Sequence, residues 1–198
     1  MRLGIYGGTF DPVHYGHLLA AEQCREQCAL DELWFIPAAV PPHKTDRSIS
    51  PGSARAEMLE IAVAGHPRFK VDRRELERTG PSFTVETLAG IQADDHSREL
   101  FLVLGADSVA DFENWREPER ILELATLIAV NRGRTPPDLT GFRRRFGTAG
   151  EQQIVHVTMP SVDLAATDVR HRVHLGQSIR FMTPRGVEAY IAEHRLYR

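Results

Sequence analysis

The chain has 198 residues, 42% of them hydrophobic and 26% charged, with a formal net charge of −3 at pH 7. This balance suits a globular protein of one domain and argues against a general nucleic-acid binder, which carries a strong basic excess; a small anionic ligand needs only a local positive patch. No apolar stretch approaches the length of a membrane span and the first residues read as a core strand, not a signal peptide, so a cytoplasmic location with no membrane partner is expected.

The first element is the apolar run Leu3 to Tyr6, a buried strand. It leads directly into Gly7-Gly8-Thr9-Phe10-Asp11-Pro12-Val13-His14-Tyr15-Gly16-His17 and a helix starting near Gly16 that carries Leu18, Leu19 and Ala21. A glycine turn at this point offers backbone N–H groups at a helix N-terminus, where partial positive charge favours phosphate. His14 and His17 lie three residues apart, share a face and reach one ligand together. The spacing matches neither the dinucleotide fingerprint nor the Walker A loop. A lone glycine pair reads as a tight turn and a lone histidine as a cap; the two together describe a polyphosphate site. Cys24 and Cys28, the only cysteines, lie four apart on the same helix. Two thiols do not complete a zinc site, and they read as helix residues in a reducing compartment.

Leu33 to Ile36 is a second buried strand, ended by Pro37, and residues 38–52 read as a mobile loop containing Pro41-Pro42-His43-Lys44. A helix is expected over Ala54 to Ala64, a short strand over Phe69 to Val71, and a helix over Thr84 to Ile91 capped near Ser82. Leu100 to Leu104 is a strand, followed at once by Gly105-Ala106-Asp107-Ser108. Pro118 to Leu124 reads as a helix and Leu127 to Val130 as a strand. Residues 132–150 contain Gly, Pro and the run Arg143-Arg144-Arg145, which reads as a solvated face and not as a binding site. The last strand is Ile154 to Val157, and helices from Asp168 to about Leu175 and from Pro184 to about Glu193 close the chain.

Strands alternating with helices predict an α/β fold, a doubly wound, mostly parallel sheet over a single domain, with residues 168–198 as a C-terminal helical segment. Ligands in such sheets bind beyond the carboxyl ends of the strands, near the switch in strand order. The loops after Tyr6, Ile36 and Leu104 all leave such ends and converge on one crevice. Lys44 is then placed to close on a phosphate, and Arg55 to support the same anion. Thr167 fits an N-cap position, and Arg170, three residues on, adds a fork of donors suited to phosphate oxygens.

The combination of Gly-x-Phe-x-Pro with His-x-Gly-His resembles the signature of the adenylyl and cytidylyl transferases. Adding Pro41-Pro42-His43-Lys44, Gly80-Pro81-Ser82-Phe83-Thr84 and Gly105-Ala106-Asp107-Ser108 with Trp115, in that order along nearly the whole chain, narrows the resemblance to bacterial nicotinate-nucleotide adenylyltransferases. That resemblance implies a Rossmann-like nucleotidyltransferase fold and transfer of an adenylyl group from ATP to nicotinate mononucleotide, with Mg²⁺ carried on ATP and no metal site of the protein's own. It implies catalytic roles for His14, His17, Lys44 and Arg170. ATP would be held by Gly7, Gly8, Thr9, Phe10, the two histidines, Thr167 and Arg170. The mononucleotide would be held by Gly8, Thr9, Lys44, Ser82, Phe83, Thr84, Gly105, Asp107 and Trp115, the tryptophan stacking on the pyridine ring. The family's late phosphate motif commonly has a serine where this chain has Ala165, so one hydroxyl donor is missing. Nicotinamide mononucleotide or phosphopantetheine as acceptor, and a non-catalytic nucleotide-binding regulator, stand as alternatives. The sequence sets no oligomeric state.

Overall fold

The computed structural model describes residues 1–39, 49–78, 80–132 and 138–198. In chain order the elements are β1 (Arg2–Gly8), α1 (Tyr15–Gln27), β2 (Glu32–Pro37), α2 (Gly52–Val63), β3 (Phe69–Val71), α3 (Arg74–Glu77), α4 (Thr84–Asp94), β4 (Glu99–Gly105), α5 (Ala106–Ala110), α6 (Pro118–Leu124), β5 (Ala125–Arg132), α7 (Thr140–Glu151), β6 (Ile154–Met159), α8 (Ala166–His174) and α9 (Arg185–Glu193). A 3-10 turn over Phe112–Asn114 joins α5 to the loop carrying Trp115. No helix of the described residues is long and apolar enough to cross a membrane.

The six strands form one sheet in the order β3-β2-β1-β4-β5-β6, every described pairing parallel. Parallel strands need crossover helices, and helices must cover both faces, so each strand alternates between two apolar layers. Leu33 and Phe35 of β2, Phe101 and Val103 of β4, and Ile128 and Val130 of β5 face Cys24, Met58, Val169, Val187 and Ile191 of α1, α2, α8 and α9. Leu3 and Ile5 of β1, Leu100, Leu102 and Leu104 of β4, and Leu127 and Ala129 of β5 face Val85, Leu88, Val109, Ile121 and Phe142 of α4, α5, α6 and α7. The two closing helices thus share a core with α1 and α2. Chain order reverses between β1 and β4, and the crevice between their carboxyl ends is where such sheets bind ligands.

Three elements were not expected from the sequence. Helices α3 and α5 are only four and five residues long. Helix α7 lies in the stretch to which the sequence assigned no element and is broken at Gly147, whose φ of 65° is left-handed. Its support is tertiary: Phe142 and Phe146, four apart, close an aromatic cluster on Phe112, with centroids 5.7 and 5.8 Å from it. The three arginines do form a solvated face, paired with Glu151, Glu113 and Glu119.

Candidate active site

The motif after β1 is held from several directions. Phe10 has a left-handed φ of 48°, a strained state for a non-glycine residue, and its buried ring is fixed edge-on to Tyr6, Phe35 and His17. That ring lies over Gly8: a Cβ there would stand 2.9 Å from Phe10 Cζ, so the turn requires glycine. Phe10, expected to bind ATP, is 2% exposed and acts by shaping the loop.

Both histidines sit at the start of α1, as expected. Their rings stack with centroids 3.7 Å apart, and a Cβ on Gly16 would press within 3.0 Å of the His14 ring. The backbone N–H of His14 donates to His17 Nδ1 at 3.3 Å. An Nδ1 that accepts leaves the proton on Nε2, so His17 presents a donor at its outer edge. The Phe10 ring, 5.0 Å away and edge-on, fixes the orientation of that donor.

The C-terminal third braces the motif. Arg170 Nη1 donates to the Asp11 carbonyl at 2.7 Å, Thr183 Oγ1 to the Val13 carbonyl at 2.8 Å, and the Tyr15 N–H to the Met182 carbonyl at 3.1 Å. The start of α8 lies beside that of α1, since Leu164 O would be 3.7 Å from a Cβ on Gly16. Two helix N-termini, His17 and Arg170 are thereby gathered at one place, a setting for several phosphate charges. Thr167 is not the cap of α8. The N-cap is Ala165, and Thr167 lies exposed in the first turn, its Oγ1 3.4 Å from Arg170 Nη2. The sequence placed the cap on the hydroxyl residue because hydroxyls are preferred there, but Ala165 adopts the extended conformation of a cap without one.

Arg55 does not serve the anion. It is 1% exposed and its guanidinium donates to the carbonyls of Ser50, Thr9 and Ala38, so it ties the loop after β1 to both ends of the connection between β2 and α2. Burial pulls its pKa below the ordinary guanidinium value, with the charge of nearby Asp11 opposing. Lys44 lies outside the described residues, as does most of the loop expected over 38–52.

On the other side of Gly7-Gly8-Thr9 lies a cavity of about 580 Å³. It is lined by Ile5, Leu102 and Leu104 of the sheet, by Ser82, Phe83 and Thr84 at the start of α4, and by Trp115. The cap of α4 is Phe83, next to Ser82 as expected, and the Ser82 hydroxyl accepts from the Ala39 N–H at 3.0 Å, tying the loop after β2 to this turn. Gly105 and Asp107 are exposed and do not line the cavity; Ser108 of the same loop does. Arg116, unnoticed in the sequence though adjacent to Trp115, lies over the Phe83 ring at 4.3 Å and pairs with Glu86 and Glu117. Glu75 and Thr87, also unnoticed, are buried in the wall. No sequence pattern marked Glu75, since α3 is a single turn, and Thr87 is one polar residue within the expected helix α4.

The cavity and the histidine–arginine cluster share the turn 7–9 and are otherwise separate. One compartment is apolar with aromatic walls, suited to a flat ring; the other is built from donors and helix ends, suited to phosphates. A molecule carrying both would lay its own phosphate across the glycines.

Residues 5–172 match the model of the family described as cytidylyltransferase-like. A nicotinate-nucleotide adenylyltransferase of Thermus thermophilus is 44% identical over 198 residues, covering all of both chains, and one of Thermomicrobium roseum is 42% identical, covering all of this chain and 92% of the other. Among solved structures, the nicotinic acid mononucleotide adenylyltransferase of Plasmodium falciparum complexed with NaAD superposes with a TM-score of 0.77 at 18% identity, covering 99% of this chain and 97% of that one, which shows the common fold. A shared fold, a matching family model and full-length relatives at this identity lead to one conclusion: the chain belongs to the nicotinate-nucleotide adenylyltransferases of the cytidylyltransferase-like family.

Proposed function

We propose that this chain transfers the adenylyl group of ATP to nicotinate mononucleotide, giving nicotinate adenine dinucleotide and pyrophosphate. The observation that carries the reading is the placement of the Gly7-Gly8-Thr9 turn, which borders the aromatic cavity on one side and runs into the His14–His17–Arg170 cluster on the other. The mononucleotide phosphate is the nucleophile and attacks the α-phosphorus of ATP; the bond from that phosphorus to the β-bridging oxygen breaks, and pyrophosphate leaves. No covalent enzyme intermediate is needed. Positioning and stabilisation of the charge growing on pyrophosphate supply the rate.

His17 Nε2–H, held by its Nδ1 contact, donates to a phosphate oxygen, and the helix ends of α1 and α8 add partial positive charge. Arg170 offers Nη2, whose only contact among the described residues is the long one to Thr167, while Nη1 anchors it to the Asp11 carbonyl. Lys44 completes the triphosphate side in this reading. Phe83 and Trp115 sandwich or flank the pyridine ring, whose carboxylate lies toward the N-terminal turn of α4. Among the described residues no group of three or more His, Cys, Asp or Glu side chains is arranged to hold a metal. Mg²⁺ would travel on ATP, bound chiefly to phosphate oxygens and neutralising them. A cytoplasmic location and small-molecule partners, without nucleic acid, complete the proposal.

The test is release of pyrophosphate from ATP with nicotinate mononucleotide, nicotinamide mononucleotide and phosphopantetheine as separate acceptors. The expected result is fast release with nicotinate mononucleotide and slow or no release with the others. Fast release with phosphopantetheine alone overturns the substrate, and ATP binding with no release from any acceptor overturns the enzymatic reading.

A further inference from the structure

The walls of the aromatic cavity carry two charged side chains among the described residues, Glu75 and Arg116, and they differ in setting. Arg116 is half exposed at the rim, whereas the Glu75 side chain is only 9% exposed. Glu75 Oε1 accepts from the Thr87 hydroxyl at 2.6 Å, and Thr87 Oγ1 in turn accepts from Arg78 Nη2 at 2.6 Å. Among the described residues Oε2 accepts no hydrogen bond. Arg78 stands 3.9 Å from Glu75 but is shared with Glu86 at 3.8 Å, and Arg116 is shared between Glu86 at 3.4 Å and Glu117 at 3.5 Å. Three carboxylates thus meet two guanidiniums, and the buried one lies inside the cavity.

A site for a phosphorylated, carboxylated ligand gains nothing from a buried carboxylate unless part of the ligand is positive, because an uncompensated buried charge is costly. Nicotinate mononucleotide has such a part. Its ring nitrogen is bonded to the ribose, so the ring carries a fixed positive charge at every pH. The face of Trp115 attracts the same charge through its quadrupole. Resting on the substrate reading above, we propose that Glu75 is the counter-ion of the pyridinium ring and a specificity-determining residue: it selects a ring with a fixed positive charge, a separate choice from that between acid and amide. Thr87 and Arg78 orient the carboxylate.

The experiment compares two acceptors with the full chain: nicotinate mononucleotide, and the same molecule with its ring reduced to the uncharged 1,4-dihydropyridine. Glu75→Gln keeps the volume and an oxygen to accept from Thr87. It should raise KM for the oxidised acceptor by about tenfold or more, the loss of a partly buried charge pair, while changing KM for the reduced one by less than about twofold. The KM for ATP should stay at its wild-type value. Equal increases for both acceptors would reveal a merely structural role and overturn the proposal, as would no increase for either. Should the variant not fold, wild-type protein decides: N-methylnicotinate, with a fixed ring cation, should compete with the mononucleotide more strongly than nicotinate, whose ring is neutral at pH 7. Equal inhibition overturns the proposal. Failure of the substrate reading looks different, since wild-type protein would then release no pyrophosphate with either mononucleotide.

Discussion

The hydroxyl of Tyr197 donates to Asp11 Oδ1 at 2.6 Å, joining two residues 186 positions apart in the sequence. Asp11 is 4% exposed, and its other oxygen accepts from the Ser50 N–H at 3.2 Å, while its carbonyl takes the hydrogen bond from Arg170. Burial above all, with the Asp11 charge beside it, pushes the Tyr197 phenol well above its ordinary pKa, so it remains a donor. One carboxylate therefore clamps the motif loop, the approach to α2 and the tail, and its backbone sets Arg170.

Tyr197→Phe keeps the packed ring and removes only the donor. Stability should fall by about 1.5–3 kcal/mol, the worth of a hydrogen bond to a charged group. The KM for ATP should rise more than kcat falls, because the shift is passed to Arg170 through Asp11. Denaturant melts and steady-state kinetics check both; an unchanged melt would mean that Ser50 alone satisfies Asp11.

His17→Ala removes a donor whose direction is preset by the His14 N–H and the Phe10 ring. Turnover should drop by roughly two orders of magnitude or more, with a far smaller change in ATP affinity, as for other preorganised donors aimed at developing charge. Near-normal turnover with only a raised KM would reassign His17 to ground-state binding.

Ala165→Ser supplies the hydroxyl that the resemblance in the late phosphate motif implies. Since Ala165 is the N-cap of α8, a serine would first cap its own helix and add about 0.5–1 kcal/mol of stability, read from the melting temperature. A hydroxyl occupied by the helix adds little to ATP. Tighter ATP binding with no gain in stability would show that it points at the phosphates instead.

Nicotinate and nicotinamide mononucleotides differ only in a carboxylate against a carboxamide. The N-terminal turn of α4, with Ser82, Phe83 and Thr84 at the cavity, offers donors, and an amide would place its NH₂ against one of them. The acid should be favoured in kcat/KM by roughly a hundredfold, about 3 kcal/mol. Trp115→Ala should weaken both acceptors alike. Equal efficiency with the two would remove the acid preference while leaving adenylyl transfer in place.

The local pattern was enough for much of this. Alternating apolar strands and helices dictated a doubly wound parallel sheet, because strands buried on both faces must read as continuous apolar runs. The motif from Gly7 to His17 announced its own turn, helix start and paired imidazoles, since all of these act within eleven residues. Ser82 to Thr84 and Trp115 were singled out only through the resemblance of their segments to the family; their place in the wall of one cavity comes from the tertiary structure.

What the sequence could not state depended on contacts between distant segments. Nothing local showed that the Ser82 hydroxyl would accept from the Ala39 N–H, and Arg55 looked like an anion ligand until three loop carbonyls enclosed it. Helix α7 has three glycines that argue against a helix locally; Phe112, brought near by the chain's path over the sheet, gives Phe142 and Phe146 something to bury against. Glu75 and Tyr197 have no local signature at all. Their roles arise because burial makes a charge or a hydroxyl seek whichever partner the fold brings within reach, and that partner is set by topology, not by spacing along the chain.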